Sequence, residues 1–433
     1  MDIKTLHQHF LESSGVSTDS RNISKNSIFF ALKGDNFNGN LFAQEALDKG
    51  AHKVIVDEKA FHKNTDETIL NTDETILVEN VLLSLQQLAS IHRQYLGIPI
   101  ISLTGSNGKT TSKELINAVL SQKFKIVATK GNLNNHIGVP LTLLNMNKDT
   151  EIGIVEMGAN HLGEIKMLSE IAQPDYGYIT NFGKAHLEGF GSLEGVIQGK
   201  TELYQFLKKN NKKIFVNAND SKQLVNSEEI ERITFGTNKS DYNIQLADSS
   251  HQLLVEFKGT QIQSNLVGAY NFANLSAAIA IGAYFKVSIE KIKAGIEGYI
   301  PTNNRSQLIT KGSNTILMDA YNANPTSMLA ALENFKQAKG DNKIMFLGDM
   351  FELGKEAEAE HQSIVDFLEE NAFGRVYLVG SNFFKTTNKT THIKQFETFD
   401  ALKNMLENNP PKNATILIKA SRGMALERIL DVI

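Results

Sequence analysis

The chain has 433 residues, enough for about three domains at roughly 150 residues each. Its 44 Lys and Arg against 48 Asp and Glu leave a net charge of −4, so no basic excess marks it for nucleic acid or an anionic membrane. With 41% hydrophobic residues it can bury sizeable cores, and with 0 cysteines it has no disulfide, zinc–thiolate site, iron–sulfur cluster or thiol nucleophile. The opening residues MDIKTLHQHFLESSG lack the apolar run of a secretory signal, and no stretch approaches the ~18 apolar residues of a membrane span. These features lead us to expect a cytoplasmic protein.

Residues 27–32 (SIFFAL) read as a buried strand, followed by turn residues Gly34, Asn36, Asn38, Gly39 and Asn40 and a helix over 41–49 that Gly50 ends. Residues 54–56 (VIV) form another short strand. NTDETIL at 64–70 is repeated letter for letter at 71–77, which reads as a local duplication in a surface loop, the second copy supplying a strand. Residues 81–96 carry Val81, Leu82, Leu85, Leu88, Ala89 and Ile91 at helical spacing, and Gly97 and Pro99 stop the helix. A continuous apolar run at 98–103 (IPIISL) opens a second block, with further strands at 126–128, 152–155, 178–180 and 214–216 separated by helical patterns, the alternation of an α/β sheet. Over 242–267 the texture changes to short alternating runs, which predicts antiparallel strands at the sheet edge. An Ala-rich helix follows over 271–285. Beyond Gly298-Tyr-Ile-Pro301, strands at 316–318, 344–347, 376–379 and 416–418 alternate with helices at 327–337, 357–370, 401–407 and 424–430, a doubly wound α/β domain.

Thr104-Gly105-Ser106-Asn107-Gly108-Lys109-Thr110-Thr111 lies between strand IPIISL and a helix expected to start near Ser112. Strand, glycine turn and helix make a phosphate cradle: glycines let backbone N–H groups turn toward an anion, and the helix N-terminus adds partial positive charge. Lys109 can reach the outer phosphates and Thr110 can place a hydroxyl on Mg²⁺. The loop is shorter than the strict pattern, since Leu103 stands where an earlier glycine would. A GTPase would need a D-x-x-G switch, and none occurs, so NKSD at 238–241 reads as chance. Glu156 ends strand EIGIVE, where a carboxylate points into the ligand crevice of an open α/β sheet and suits Mg²⁺. His186 follows a strand in the glycine-rich TNFGKAHLEGFGS, readable equally as a ligand or as a satisfied surface histidine. Lys200, in GKTELY, reads on spacing alone as an ordinary helix lysine.

TGSNGKTT, NLNNHIGVPLTLL (132–144), VEMGANHLGEI (155–165), TNFGKAHLEGFGS, GKTELY and GAYNFANLSAAIA (268–280), in this order, resemble the Mur ligases, ATP-dependent amide-forming enzymes of peptidoglycan precursor synthesis. Within the family, DAYNANP (319–325), LGDMFELG (347–354) and KASRGMALE (419–427) are similar to the ligase that adds D-alanyl-D-alanine to UDP-N-acetylmuramoyl-tripeptide. The D-N-P-R-type motif of the third-residue-adding sister is absent. TDSR (18–21) and FFALKG (29–34) resemble the uridine-binding first domain of these two ligases.

The resemblance implies an α/β fold in three domains: a small uridine-binding domain at 1–97, a central P-loop ATP-binding domain at 98–299 and a Rossmann-like domain at 300–433. Gly105, Ser106, Asn107, Gly108, Lys109, Thr110 and Thr111 would hold ATP. Thr110, Glu156, His186 and a carbamylated Lys200 would hold two Mg²⁺. Asn271 and Asn274 would contact the nucleotide, and Arg305 and Asp319 the γ-phosphate and ribose. Asn322 and Asn324 are expected near the dipeptide, and Ser20, Asn134 and Asn135 near the UDP-linked substrate. Lys109, Lys200, His186 and Arg305 are the expected catalytic residues, on a monomer that takes only small-molecule substrates. Plainer readings stand beside these: Arg305 as a linker cation, Asp319 as a turn residue, Asn271 and Asn274 as helix-start residues. The rival functions are another ligase of the superfamily, either the third-residue-adding enzyme or a folylpolyglutamate synthase-like one, and a P-loop switch that ligates nothing.

Overall fold

The computed structural model describes residues 2–61, 73–237, 239–302, 304–371 and 373–433. The first NTDETIL copy lies outside the described residues, and the second supplies strand Thr75–Leu77. That strand edges a parallel sheet in the order Val16–Ser17, Ile28–Phe30, Lys53–Val56, Thr75–Leu77. Ile28, Phe29, Phe30 and Val54 to Val56 are buried on both faces, which is why their segments are apolar without alternation. Helix Val81–Leu96 follows, with the Asn80 side chain accepting the Leu83 N–H at its start and Gly97 in the left-handed region at its end. Its buried stripe of Val81, Leu85, Leu88 and Ala89 also takes in His92 and Arg93. His92 lies with Nδ1 3.1 Å from Nε2 of His7 and Nε2 2.9 Å from the Met146 carbonyl, and Arg93 pairs with Asp175 at 2.7 Å.

The central sheet has nine strands, ordered Thr260–Val267, Gln252–Phe257, Tyr242–Asp248, Arg232–Gly236, Lys213–Asn217, Tyr176–Ile179, Ile100–Thr104, Ile152–Glu156, Ile126–Ala128. The hairpin strands from Tyr242 to Val267 are antiparallel at one edge, as their alternating texture predicts. Arg232–Gly236, too polar to stand out in the sequence, is recruited between two neighbours. Helix Ile289–Glu297 covers the edge strand: Gln263 N–H donates to Glu297 at 3.1 Å, Lys293 Nζ to the Gln261 carbonyl at 2.7 Å, and Asn265 Nδ2 to the carbonyls of Glu297 and Tyr299.

The third sheet runs Gln307–Lys311, Asn314–Asp319, Thr415–Lys419, Lys343–Gly348, Arg375–Val379, Ile393–Phe396, parallel except for the first strand. With helices Pro325–Gln337, Ala357–Glu370 and Phe399–Asn408 it is the expected doubly wound sheet, extended by two edge strands that the sequence does not announce. The expected α-helix over 424–430 is instead two 3₁₀ stretches, Arg422–Met424 and Leu426–Val432, parted by left-handed Ala425. Leu426 and Ile429, three apart, both enter the core, a spacing that three residues per turn satisfies. By compactness the chain forms two units: Met1–Leu103, Phe124–Gly158 and Glu164–Gly177 in one, and Thr104–Lys123, Ala159–Gly163 and Tyr178–Ile433 in the other. Among the described residues no helix is long and apolar enough to cross a membrane.

Candidate active site

The buried strand Ile100–Thr104 leads into helix Lys109–Leu120, which starts at Lys109 rather than near Ser112. Lys109, Thr110 and Thr111 therefore fill its first turn, where the positive end of the helix dipole favours an anion. The loop needs its glycines. Gly105 has φ +141° and Gly108 φ +78°, and a Cβ would come within 2.0 Å of Thr180 Oγ1 at the first and 2.5 Å of Asn274 Oδ1 at the second. Segment 180–183 braces the loop. Asn107 N–H donates to Asn181 Oδ1 at 3.0 Å, the Asn107 carbonyl accepts from Thr180 Oγ1 and Asn181 Nδ2, and Ser106 exchanges hydrogen bonds with Gly183. Lys109 Nζ donates to the Gly105 carbonyl at 2.6 Å and to that of Ser106 at 3.2 Å.

Asn271 and Asn274 are buried at the start of helix Phe272–Tyr284 and linked at 2.9 Å. Asn274 also accepts from Ser112 Oγ at 2.9 Å, and Asn271 donates to the Val267 carbonyl and Ser306 Oγ. Next to Ser306, the Arg305 guanidinium stacks 3.5 Å from the centre of the Tyr321 ring, its Nε buried without a hydrogen-bond partner. Asp319 ends its strand beside Lys419, its register partner on the neighbouring strand, and accepts from the buried Lys419 Nζ at 2.6 Å and from Ser306 N–H at 3.3 Å. Asn322 is exposed, its side chain turned back on the Ala323 N–H. Asn324 caps helix Pro325–Gln337 in a reciprocal box with Ser327, and its amide exchanges two hydrogen bonds with Asn107 of the phosphate loop, at 2.7 and 3.3 Å. Asn324, expected near the dipeptide, thus also bridges to the phosphate loop.

His186 sits in the left-handed conformation before the short helix Leu187–Phe190, with Nδ1 2.6 Å from a carboxylate oxygen of Glu352. The two atoms are in close contact without an aligned hydrogen bond between them. The His186 imidazole, and more weakly the charge of Lys109, hold the Glu352 carboxyl below the usual carboxylate range, against partial burial, which raises it. Lys200 is more than the ordinary helix lysine its spacing suggests: it is fully buried in helix Leu193–Lys209, donating to the Ala159 carbonyl at 3.0 Å over the face of Phe190. Glu156, buried at its strand end in register with Leu103, accepts from Asn134 Nδ2 at 2.9 Å. Asn135 is occupied locally, accepting N–H groups of Ile137 and Gly138. Ser20, buried, lies between Asp19 and Arg21, whose guanidinium holds the Asp19 carboxyl down to about 2. Among the described residues no three His, Cys, Asp or Glu side chains gather as a metal site.

Three residues here escape the sequence reading. Asn181 and Lys419 lie inside quoted motifs but touch their partners only across the fold. Glu352 too lies inside a quoted motif, LGDMFELG, and its partner His186 is 166 positions away (352 − 186).

Three family profiles match the chain in order: the Mur ligase family catalytic domain at 12–93, the Mur ligase middle domain at 103–282 and the Mur ligase glutamate ligase domain at 304–422. The UDP-N-acetylmuramoyl-tripeptide–D-alanyl-D-alanine ligase of Bacillus subtilis (strain 168) is 37% identical over 96% of this chain and 92% of its own length. A crystal structure of MurF from Acinetobacter baumannii superposes with a TM-score of 0.84 at 29% identity, covering 98% of this chain and 97% of that one. MurF from Thermotoga maritima in complex with ADP superposes with a TM-score of 0.82 at 26% identity, covering 98% and 97%.

Proposed function

The chain belongs to the Mur ligase family, and from that premise we propose that it joins D-alanyl-D-alanine to UDP-N-acetylmuramoyl-tripeptide, cleaving ATP to ADP and phosphate. The observation that carries this reading is the likeness to a ligase of that name over 96% of the chain, first domain included. A P-loop alone would fit any member of the superfamily. In this reading residues 1–97 hold the UDP-linked substrate, 98–299 the ATP and 300–433 the dipeptide.

A carboxylate in water resists nucleophiles, so the site must activate it. An oxygen of the peptide's terminal carboxylate attacks the γ-phosphorus of ATP, the bond to ADP breaks, and an acyl phosphate forms. The dipeptide amine then attacks the acyl carbon. The tetrahedral adduct expels phosphate, and the nitrogen gives up its proton. Two anions meet in the first step, so fixed positive charge is the main requirement. Residues 105–111 and the helix start cradle the phosphates, with the Ser106 and Asn107 N–H groups tied to Asn181 and so bracing the loop, and Lys109 can exchange its loop carbonyls for phosphate oxygens. Arg305, braced on Tyr321, adds a planar cation. Asn271, Asn274 and Asp319 shape the nucleotide side, Asn322 and Asn324 the dipeptide side, and Ser20, Asn134 and Asn135 the UDP-linked side. The donor set of Thr110, Glu156 and His186 suits a hard cation, and Mg²⁺ bound there would neutralise part of the phosphate charge. Lys200, enclosed against a carbonyl and an aromatic face, would add a further oxygen ligand on taking up CO₂ as a carbamate with loss of a proton. The use of ATP and a UDP-linked precursor supports a cytoplasmic reaction, carried out in this reading by a monomer.

The test is phosphate release with Mg²⁺, ATP, UDP-N-acetylmuramoyl-tripeptide and D-alanyl-D-alanine, each omitted in turn. Release that needs all four, with a product heavier by the dipeptide, is expected. Release that ignores the dipeptide, or follows a single amino acid or a folate, overturns the assignment.

A further inference from the structure

His186 and Glu352 both stand in the left-handed region, φ +53° and +63°, where a residue with a side chain stays only if its surroundings hold it. Around Glu352 those surroundings are explicit. Asp349 N–H donates to the Val379 carbonyl at 3.1 Å, Met350 N–H to His361 Nε2 at 3.0 Å and Phe351 N–H to Ser421 Oγ at 2.9 Å, and the Glu352 carbonyl accepts the Glu188 N–H at 3.1 Å. His361 donates from Nδ1 to the Ala357 carbonyl at 2.6 Å, which leaves its Nε2 as an acceptor. Gly354, itself left-handed, lets the chain pass against Glu188, where a Cβ would come within 3.3 Å of the Glu188 Cα. Four consecutive backbone positions are fastened, and the Glu352 carboxylate is held 2.6 Å from the His186 imidazole.

We propose that Glu352 is the positioning residue for His186, drawing the imidazole proton to Nδ1 and leaving the Nε2 electron pair available to a divalent cation. The inference rests on reading His186 as a metal ligand. Imidazoles that bind metals commonly give their other N–H to a carboxylate, which fixes tautomer and ring orientation and makes the ligating nitrogen more basic. Here the carboxylate and the imidazole come from different parts of the chain. Glu352 follows strand Lys343–Gly348 of the third sheet, and His186 follows strand Tyr176–Ile179 of the central one. The same two parts are fastened by Asn324 on Asn107, by Lys184 N–H on Thr326 Oγ1 at 2.9 Å and by Lys184 Nζ on Glu360 at 2.5 Å. Docking of the two parts and readiness of His186 for a cation are therefore one event.

Mn²⁺ binding to the full-length enzyme in the presence of ADP, read by electron paramagnetic resonance, tests this without turnover. H186A and E352A are each expected to weaken Mn²⁺ binding about 10- to 100-fold. E352Q, which keeps an acceptor oxygen beside Nδ1, is expected to lose less, and the double variant to bind no worse than H186A alone. Nitrogen-15 spectra of histidine-labelled, metal-free protein are expected to show His186 as the Nδ1–H tautomer, and a mixture in E352A. If H186A binds Mn²⁺ like the parent, the metal-ligand reading fails and this proposal with it. If H186A weakens binding and E352A does not, only the role of Glu352 is overturned. If E352A lowers the melting temperature without moving the tautomer, the contact is a clamp and the proposal is overturned.

Discussion

Asp319→Ala is the perturbation whose cost follows most directly from the geometry. Asp319 and Lys419 are register partners on adjacent parallel strands, 2.6 Å apart, with side chains 17% and 2% exposed. At that distance and an effective dielectric constant of about 20 the attraction is roughly 6 kcal/mol, most of it offset by desolvating the ammonium. Removing the carboxylate leaves a buried cation within 3.5 Å of the Asn322 carbonyl. Breaking such a pair costs about 3–5 kcal/mol, and we expect about 3 here because Asn322 remains. Lys419→Met leaves a carboxylate that keeps some water and the Ser306 N–H, and about 2 kcal/mol is expected. The double variant removes both charges, so its cost should fall short of the sum by about 2 kcal/mol. Thermal unfolding at roughly 2–4 °C per kcal/mol would put the Asp319→Ala melt about 6–12 °C low. Additive single and double variants, or an Asp319→Ala protein as stable as the parent, would refute the reasoning.

Gly108→Ala forces a Cβ to 2.5 Å from Asn274 Oδ1 at φ +78°, so KM for ATP should rise at least tenfold in the phosphate-release assay while the melt falls by a few degrees. Lys200→Met keeps the bulk of the buried side chain but takes up no CO₂. Its ligase activity should fall about 100- to 1000-fold, and intact-mass analysis of the parent in bicarbonate should show one added CO₂ that the variant lacks. His7, His92 and His361 are buried, and burial holds each imidazole below its usual value near 6.5. The unfolded chain therefore binds protons first as pH falls below about 6.5, so urea stability should decline from there downward, by up to about 1.4 kcal/mol per pH unit for each group. His7→Gln should reduce that slope, and an unchanged slope would remove His7 from the account.

How much of this was legible depended on the range of the interaction. Strand 100–104, its glycine turn and the helix behind it are contiguous, so the phosphate loop is readable with only the helix start misplaced, by the extra turn that Lys109 to Thr111 form. Helix Val81–Leu96 is legible to the residue because its stripe, Asn80 cap and Gly97 stop are all local. Strands Gln307–Lys311 and Ile393–Phe396 are not, because few of their side chains are fully buried and pairing with a neighbour makes them strands. Lys200 illustrates the limit at the site: a lysine at helical spacing carries no sign of complete burial. Lys419 and Glu352 illustrate it again, since each matters through a partner 100 or more positions away.

The helix laid along strand Thr260–Val267 has a consequence for the molecule among its own copies. An outer strand normally offers a row of unsatisfied backbone groups on which another chain can template itself. Here Glu297 takes the Gln263 N–H, Lys293 takes the Gln261 carbonyl, and the Asn265 amide ties the strand to the helix end. Those backbone groups are withheld from any neighbouring copy, and the helix lying beside them blunts the growth of the central sheet on that side.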